Sequence, residues 1–417
     1  MSDRLSAHVK PERLLARLQA MARIGATPRG GVNRQALSAE DAAAQAQLAA
    51  WGAERGLAAS RDAAGNLFVR LAGARPGLAP VLSGSHLDSQ PTGGRFDGVY
   101  GVLAAFEVLE AMRDAGFAPA RAVEAVAWMN EEGSRFAPGM MGSAVFAGER
   151  PLQAVLDTRD ADGVSVAEAL AACEPALAHV PRRGLGGAVH AFVEAHIEQG
   201  PVLEREGMPV GVVTGIQGKH TFRVTVQGEA AHAGTSRRAE RRDALLAATA
   251  MVQALAAVLH DQADVARFTV GRFEVSPNAP SVVASRAVFS IDLRHPDSAT
   301  LRALGERVRP VCEAHAGPCE VSVERLSAAD SLTFPDAMRA RLASAARKLG
   351  IPHLALPSAA GHDARYLHAM CPAAMIFVPC RAGITHNEAE HAEPADLVAG
   401  TRVLADVLAG LAQEDAA

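Results

Sequence analysis

The sequence predicts an α/β protein in which one layered domain is interrupted by an inserted α+β domain. An apolar strand, helix and strand follow one another over residues 80–130, and helix-and-strand alternation resumes after residue 327. Between them lies a β-α-β-β-α-β order, the pattern of a small ferredoxin-like sandwich. A chain of 417 residues is too long for one ordinary core. The expected domains are therefore 1–214 with 327–417, and 215–326.

Helix and strand patterns alternate in the first part of the chain. Residues 10–25 and 38–56 have helical periodicity, and Ser38 followed by Asp41 is an acidic variant of the capping box. Period-2 and continuous apolar patterns mark the strands. The other elements expected before the insertion are strands over 66–71, 80–86, 121–130 and 188–200 and a helix over 98–115.

The inserted segment and the end of the chain contain further clear patterns. In the insertion we expect strands over 220–228, 265–275, 281–295 and 320–326 and helices over 241–262 and 298–316. After it we expect helices over 335–350 and 394–413 with a strand over 372–380.

The composition indicates the cellular compartment and the classes of partner to expect. The net charge of -5 gives no reason to expect a nucleic acid or an anionic membrane as partner. The five cysteines are odd in number and form no C-x-x-C pair, which fits a reducing cytosol. The N-terminal segment lacks the apolar core of a signal peptide, and no apolar run approaches a membrane span. The expected location is cytoplasmic.

Polar residues follow a buried strand in VLSGSHLDSQPTGGRFDGVY, residues 81–100. His86 and Asp88 come at the strand end, and Asp97 lies in the loop that leads into the next helix. In open α/β sheets, functional sites form beyond the carboxyl ends of the strands. Taken alone, the same residues could simply be a hydrogen-bonded strand end.

Three later segments repeat this arrangement. Glu131 and Glu132 end a core strand, His196 and Gln199 lie at another, and His386 follows a third. Imidazole and carboxylate groups suit Zn²⁺, Mn²⁺ or Co²⁺. Of two adjacent glutamates, one can bind a metal while the other stays free as a general base.

Several motifs together resemble one family. The chain is similar to the di-metal amidohydrolases of the N-carbamoyl-L-amino-acid hydrolase, β-ureidopropionase and allantoate amidohydrolase family, related to aminoacylases and carboxypeptidase-like peptidases. The matching motifs, in order over about residues 80–400, are GSHLDSQPTGGRFDG, NEEGSRFAPGMMGS, HIEQGPVLE, GEAAHAGTS, RRDAL, PNAPSVV, DLRHPD, AGHDA and ITHNEAE. The resemblance implies a mixed-sheet di-metal hydrolase domain with an inserted dimerisation or lid domain, and a homodimer.

The resemblance also implies residue roles. His86 and His196 would bind one metal, Glu132 and His386 the other, and Asp97 would bridge them. Glu131 would be the general base, and Asp88 would orient His86. The implied cofactors are two divalent ions per subunit, Zn²⁺ first, with Mn²⁺, Co²⁺ or Ni²⁺ as alternatives.

Substrate contacts follow from the same motifs. Gln199 would contact the carbamoyl or amide end, and His232 would stabilise the oxyanion. The implied contacts to a substrate carboxylate are Asn278, Arg294 and Gly361. Arg294 could instead form a plain ion pair with Asp292. The chain departs from the family at Ser236, Arg237 and Arg238, where relatives usually have Thr-Pro-Met.

The implied reaction is hydrolysis of an N-carbamoyl-L-amino acid or N-carbamoyl-β-alanine by a metal-bound hydroxide, giving amino acid, CO₂ and ammonia. Allantoate amidohydrolase and aminoacylase or dipeptidase activities on the same scaffold are the alternatives. A non-enzymatic binding protein is disfavoured because Glu131 is retained. The sequence lacks the G-x-S-x-G motif of serine hydrolases, and in GIQGKHT His220 stands at the position where a P-loop needs Ser or Thr.

Overall fold

The computed structural model describes residues 4–414. The chain divides into two compact units. The first unit runs to Thr214 and includes Phe334–Leu356 and the residues from His362 onward, and the second comprises Gly215–Thr333 and Pro357–Gly361. The return to the first unit comes later than residue 327, because that residue lies inside a strand that continues to Ala329.

The strands and helices appear in the following order. Up to the unit boundary they are β1 (Ala58–Arg61), β2 (Leu67–Leu71), β3 (Val81–His86), β4 (Val123–Trp128), β5 (Ala191–Ile197) and β6 (Val210–Ile216), with α1 (Pro11–Met21), α2 (Ala39–Glu54), α3 (Val99–Asp114), α4 (Met141–Phe146), α5 (Leu152–Leu156), α6 (Val166–Leu177) and α7 (Val202–Glu206). The second unit contains β7 (Gly218–Gln227), β8 (Ala231–His232), β9 (Arg267–Thr269), β10 (Phe273–Ser276), β11 (Val282–Val283), β12 (Arg286–His295), β13 (Glu320–Ala329) and β14 (Leu332–Thr333), with α8 (Ala244–Leu259) and α9 (Ser298–Ala314). The chain then continues through β15 (His353–Ser358) and β16 (Ala373–Val378), with α10 (Asp336–Lys348), α11 (Ala364–Leu367) and α12 (Pro394–Ala412).

The sequence patterns missed some strands and merged others. β1, β6 and β15 have no counterpart in the prediction, and neither do the two-residue strands β8 and β14. The strand expected over 265–275 is split into β9 and β10, with an interruption around Gly271. At the start of α2, Ser38 Oγ accepts the N–H of Asp41 at 3.1 Å, so the predicted cap is present.

Four neighbouring strands of the first unit, in the order β4, β3, β5 and β16, are parallel. On either side, β2 and β6 pair antiparallel with this group. The predicted α/β class is confirmed, with a mixed sheet. Parallel strands end at the same edge of a sheet, so the loops after these strands meet there.

The central strands of the first unit are buried on both faces. Every residue of β3, β4, β5 and β16 is buried. Helix α3 packs against the sheet with nearly its whole surface buried. The rings of Phe68, Trp128 and Phe146 pack together in edge-to-face and tilted contacts. Burial of each such ring contributes about 1.5–3 kcal/mol to stability. Trp128 is the last residue of β4, so this packing stabilises the end of that strand.

The second unit has an antiparallel sheet in the order β10-β12-β7-β13, with β9 also paired to β12. Alternate residues of β7 and β12 are buried, including Phe222 and Phe289, and pack with residues of α8 and α9 such as Met251 and Leu301. This is the β-α-β-β-α-β order that the sequence pattern indicates. Within residues 4–414, no helix combines the length and apolarity needed to cross a bilayer.

Candidate metal centre

Histidine and carboxylate side chains collect at the carboxyl edge of the four parallel strands. His86 is the last residue of β3, and His196 lies near the end of β5. Glu131 and Glu132 follow β4, and His386 follows β16. The sheet therefore brings together residues that are far apart in the sequence.

Asp97 lies between two groups of possible metal ligands. One group consists of His86, Asp97 and His196, and the other of Asp97, Glu132 and His386. The Oδ1 of Asp97 lies 3.2 Å from His196 Nε2 and 3.9 Å from His86 Nε2. Its Oδ2 lies 3.2 Å from His386 Nε2, which is also 3.2 Å from Glu132 Oε2. Each oxygen of Asp97 faces a different group, as a bridging carboxylate requires.

A buried glutamate, Glu390, fixes the loop that carries Asp97. Its Oε1 accepts the backbone N–H groups of Phe96 at 2.8 Å and Asp97 at 3.1 Å. A Cβ at Gly94 would lie 1.9 Å from Glu390 Cδ, so the close approach requires glycine. The Thr385 hydroxyl lies within hydrogen-bond distance of Asp97 Oδ2 (2.9 Å) and Glu390 Oε2 (3.0 Å). The loop is thus held from the segment that also carries His386.

Asp88 supports the site in two ways. Its carboxylate accepts the backbone N–H groups of Glu131 and Glu132, both at 3.2 Å. The Nδ1 of His86 lies 2.9 Å from the Asp88 carbonyl oxygen but 3.7 Å from its carboxylate. The contact that orients the His86 ring is therefore to the Asp88 backbone, while the carboxylate fixes the adjacent glutamates.

The two adjacent glutamates have different surroundings. Glu132 belongs to the second ligand group, and its Oε2 accepts a hydrogen bond from Gln90 Nε2 at 2.8 Å. Glu131 belongs to neither group, and its Oε2 lies 3.6 Å from His86 Nε2. Glu131 is therefore a carboxylate beside the possible ligands that is not itself one of them.

The pocket contains more carboxyl groups than it can hold as anions. Burial raises the pKa of Asp88 to about 6 and that of Glu131 well above its usual value. Burial, with the charge of Asp97, raises the pKa of Glu132 to about 8 and that of Glu390 to about 7. A bound divalent cation would compensate this excess of negative charge.

The histidines respond to burial and to Asp97. Burial lowers the pKa of His86 to about 4. Burial opposes protonation of His196 too, but its hydrogen bond to Asp97 raises its pKa to about 9. The hydrogen bond that His386 donates to Asp97 likewise raises the pKa of His386 to about 9. Asp97 therefore attracts positive charge on both sides.

The residues present fit divalent metal ions. Three imidazoles and two carboxylates form two groups that share one carboxylate, a donor set suited to Zn²⁺ and similar ions. His86, Asp97 and His196 would hold one ion, and Glu132 and His386, with Asp97, another. The excess of buried carboxyl groups is an independent reason to expect cations here.

Gln199 lies beside the ligand groups in a strained backbone conformation. Its φ is 58° and that of His386 is 52°, a region that costs about 1–3 kcal/mol for residues other than glycine. Gln199 Nε2 donates to Asp97 Oδ2 at 3.0 Å. Its Oε1 is buried without a hydrogen-bond partner among residues 4–414. This oxygen can accept an N–H from a ligand.

A second layer of residues was given no role by the sequence. His362 packs its ring 4.6 Å from that of His196. Glu194 forms a further group with these two histidines, but its oxygens accept Ser85 Oγ at 2.7 Å and the Ala364 N–H at 2.8 Å. We therefore interpret Glu194 as a support. Its signal was its place two residues before His196, on the same face of a buried strand.

Other residues of this layer lie inside recognised motifs. AGHDA contains His362 and Asp363, and ITHNEAE contains Thr385 and Glu390. Asp363 Oδ1 accepts a hydrogen bond from Ser143, while its Oδ2 is buried without a partner in the described part of the chain. Sequence alone did not separate these residues from their motif neighbours.

In the second unit, His232 ends the short strand β8. Its Nδ1 accepts the backbone N–H groups of Gly234 at 3.0 Å and Thr235 at 3.2 Å. A neutral imidazole that accepts at Nδ1 carries its proton on Nε2. His232 is exposed, so it can offer this Nε2–H to a ligand.

The expected carboxylate contacts also lie in the second unit. Asn278 is exposed with φ of 57°, and Gly361 is exposed. Arg294 donates from Nε and Nη2 to Asp292 at 2.8 and 3.1 Å and from Nη1 to the Ala359 carbonyl at 2.8 Å. The ion pair considered above is therefore present. It leaves two of the five guanidinium N–H donors for another acceptor.

Comparison with known proteins places the chain in a family. The model of the peptidase family M20/M25/M40 matches residues 82–410. An N-carbamoyl-L-amino-acid amidohydrolase from Rhizobium meliloti is 37% identical over 95% of both chains. An allantoate amidohydrolase from Escherichia coli is 35% identical over 93% of this chain and 95% of its own.

A solved structure extends the likeness to the whole fold. The hydantoinase/carbamoylase family amidase from Burkholderia multivorans has a TM-score of 0.88 and 42% identity, over 98% of this chain and 99% of its own. The two relatives named above are amidohydrolases, as the resemblance of the motifs predicts, and the chain belongs to the peptidase family M20/M25/M40.

Proposed function

We propose that this enzyme hydrolyses the carbamoyl C–N bond of N-carbamoyl-L-amino acids or N-carbamoyl-β-alanine. The products are the amino acid and carbamic acid, which decomposes to CO₂ and ammonia. The observation that carries the proposal is Glu131, a carboxylate 3.6 Å from His86 that belongs to neither ligand group. A site that only bound a metal would need no such group.

Two divalent ions at the candidate ligand groups would activate water and polarise the ureido carbonyl. Glu131 takes the proton of the attacking water and delivers it to the leaving nitrogen. Burial raises the pKa of Glu131, which favours its role as proton carrier. Asp88 keeps Glu131 in place through the backbone N–H, and Glu132 stays with the metal ligands.

Gln199 and His232 contact the reacting group. The unpaired Oε1 of Gln199 accepts an N–H of the ureido group. The His232 Nε2–H donates to the oxyanion that forms when the carbonyl is attacked, where a positioned donor is worth about 10²–10³ in kcat.

Arg294, Asn278 and Gly361 bind the free carboxylate of the substrate. Two N–H donors of Arg294 remain beyond its contacts to Asp292 and Ala359, enough for the paired contact that carboxylates favour. Lys219 Nζ also lies 3.1 Å from Asp292 Oδ2, so the positive charges here exceed the single aspartate.

Allantoate is the second candidate substrate, because it is a ureido compound with a free carboxylate and one relative is named allantoate amidohydrolase. A panel separates the two. Metal-loaded enzyme is assayed with N-carbamoyl-L-amino acids, N-carbamoyl-β-alanine, allantoate and simple dipeptides, with detection of ammonia and of the amino acid. We expect the highest kcat/KM with a carbamoyl amino acid. Faster turnover of allantoate or of dipeptides would contradict the assignment.

The second unit is proposed to act as a lid and to form a homodimer. Among the described residues, five of the eight large apolar side chains that are exposed lie in it: Leu246, Val265, Phe273, Val282 and Leu326. Apolar side chains and an open strand edge at β13 are typical of surfaces that pair. Sedimentation should show a dimer, and a fully active monomer at assay concentration would disprove this.

The cytoplasm remains the proposed location, supported by five buried, unpaired cysteines.

A further inference from the structure

The turn that carries His232 is held together by one guanidinium, that of Arg241. Its Nε donates to Ser236, with 3.2 Å to the carbonyl oxygen and 3.1 Å to Oγ. Its Nη2 donates to the carbonyl oxygens of Ala233 at 2.6 Å and Ser236 at 3.0 Å. Arg241 therefore joins the beginning and the end of the turn over residues 232–236.

This clamp reaches His232 through its neighbours. Ser236 Oγ donates to the His232 carbonyl oxygen at 2.8 Å. The N–H groups of Gly234 and Thr235, which set the tautomer of the imidazole, lie inside the clamped turn. All of residues 232–235 are exposed, so no core packing holds them. The direction of the His232 ring depends on hydrogen bonds within the turn.

Arg241 also lies near the second functional segment of this unit. His232 pairs with Val282, and the Ala233 N–H donates to Ser281 at 3.0 Å. Arg241 and Asn278 line the same cavity, of about 310 Å³. The proposed oxyanion donor and a proposed carboxylate contact therefore share one local framework that includes Arg241.

We propose that Arg241 is a positioning residue that acts through His232. It fixes the turn so that the Nε2–H of His232 has one direction before the substrate arrives. A preorganised donor stabilises the oxyanion without reorganisation at the moment of reaction, whereas a loose donor does not. The inference rests on the proposed function, because it requires His232 as the oxyanion donor.

Arginine suits this position better than lysine. Two of its nitrogens contact three acceptors, which belong to Ala233 and Ser236. The planar fork presents donors in fixed directions, and a single ammonium cannot reproduce them. The Ser236 hydroxyl takes part in the clamp, because it accepts from Arg241 Nε and donates to the His232 carbonyl oxygen.

The test compares neighbouring arginines. Arg241→Gln and Arg241→Lys are assayed as metal-loaded full-length enzyme with an N-carbamoyl amino acid. We expect kcat to fall roughly 10- to 100-fold, the scale for a misplaced catalytic group, with little change in KM. Arg242→Gln is the matched control, because Arg242 points elsewhere, to Pro318 and Glu320. It should retain the kcat of the original enzyme.

A double-mutant cycle with His232→Ala separates positioning from general damage. If Arg241 acts through His232, Arg241→Gln should cost no further activity once His232 is alanine. A full additional loss in that background would overturn the inference. Should Arg241→Gln fail to fold, Ser236→Ala replaces it, with a smaller loss of kcat that also vanishes in His232→Ala. An unchanged kcat in Ser236→Ala would then overturn it.

The same cycle distinguishes the two levels of the proposal. If His232→Ala has normal kcat, the oxyanion role fails and the positioning role fails with it. If His232→Ala is impaired while Arg241→Gln behaves like the Arg242 control, only the positioning role fails.

Discussion

The two units hold their candidate functional residues in opposite ways. In the first unit, His86 and His196 are buried at the ends of core strands, and Asp97 is buried in the loop between β3 and α3. In the second, His232 ends the short strand β8 where the turn over residues 232–236 begins, Asn278 lies in the loop after β10, and both are exposed. The first set depends on strand order and on hydrogen bonds between distant segments, whereas the second depends on local turns.

This contrast indicates a division of labour. A metal centre needs several ligands at fixed separations, and a buried sheet edge supplies them. Substrate contacts tolerate exposure, because they are completed only when the substrate binds. Changes of the metal ligands in the first unit should therefore alter metal content, whereas changes of His232, Asn278 or Arg294 in the second should lower activity without altering metal content.

The largest expected effect is loss of metal. Exhaustive chelation should abolish turnover, because both ligand groups would lose their ions, and Zn²⁺, Mn²⁺, Co²⁺ or Ni²⁺ should restore it. Metal content measured beside activity provides the control. Undiminished activity in metal-free protein would remove the functional distinction between the units.

Glu131→Gln tests the division between adjacent glutamates. It should keep the metal but lower kcat by about 10²-fold or more, because it removes the proton carrier and preserves shape. Glu132→Gln is the matched comparison and should lower metal content. Loss of metal from the Glu131 variant would show that Glu131 is a ligand.

Arg294→Lys should weaken substrate recognition without affecting the metal. Replacing the substrate carboxylate by a carboxamide should lower kcat/KM of the original enzyme by about 10- to 100-fold, corresponding to about 1.5–3 kcal/mol for a charge-assisted contact. The lysine variant should lose most of this discrimination. Arg267, opposite Arg294 on the neighbouring strand, offers a control in Arg267→Lys. Equal turnover of acid and amide by the original enzyme would refute the anchor.

The same contrast explains what the sequence could predict. His86, Glu131, Glu132, His196 and His386 follow apolar strands, so their convergence follows from strand-end geometry alone. His232, Asn278 and Arg294 are predicted only by the resemblance, because polar residues that are exposed or half-buried are ordinary at a protein surface. Sequence patterns therefore predict buried strands well, but they do not identify functional residues at the surface.

The sequence does not predict hydrogen bonds between segments that are far apart in the chain. Glu390 accepts the Asp97 N–H from nearly three hundred positions away, and no local pattern indicates such a bond. The resemblance implies that Asp88 orients His86, but the sequence does not show that the contact is made by the Asp88 carbonyl oxygen while its carboxylate binds the glutamate N–H groups. The carbonyl oxygen and the carboxylate of Asp88 both lie near the His86 ring. Which of them accepts the hydrogen bond depends on small differences in distance, which side-chain packing determines.

The last expected effect concerns stability rather than activity, and it has opposite signs in the two units. Asp41, in the first turn of α2, is buried, and burial raises its pKa to about 7. Asp297 caps α9 in the second unit, and the hydrogen bonds that it accepts from Thr300 lower its pKa. Since folded Asp41 keeps its proton while the unfolded chain has lost it, Asp41 should reduce stability as pH rises from about 4 to 7, by about 4 kcal/mol at most. Asp297 should stabilise above pH 4 and lose its contribution as pH falls below that value.

Thermal unfolding of chelated protein across this pH range tests both expectations. Asp41→Asn should flatten the decline between pH 4 and 7, and Asp297→Asn should flatten only the acid limb. A wild-type slope between pH 4 and 7 in Asp41→Asn would show that burial does not keep this carboxyl protonated.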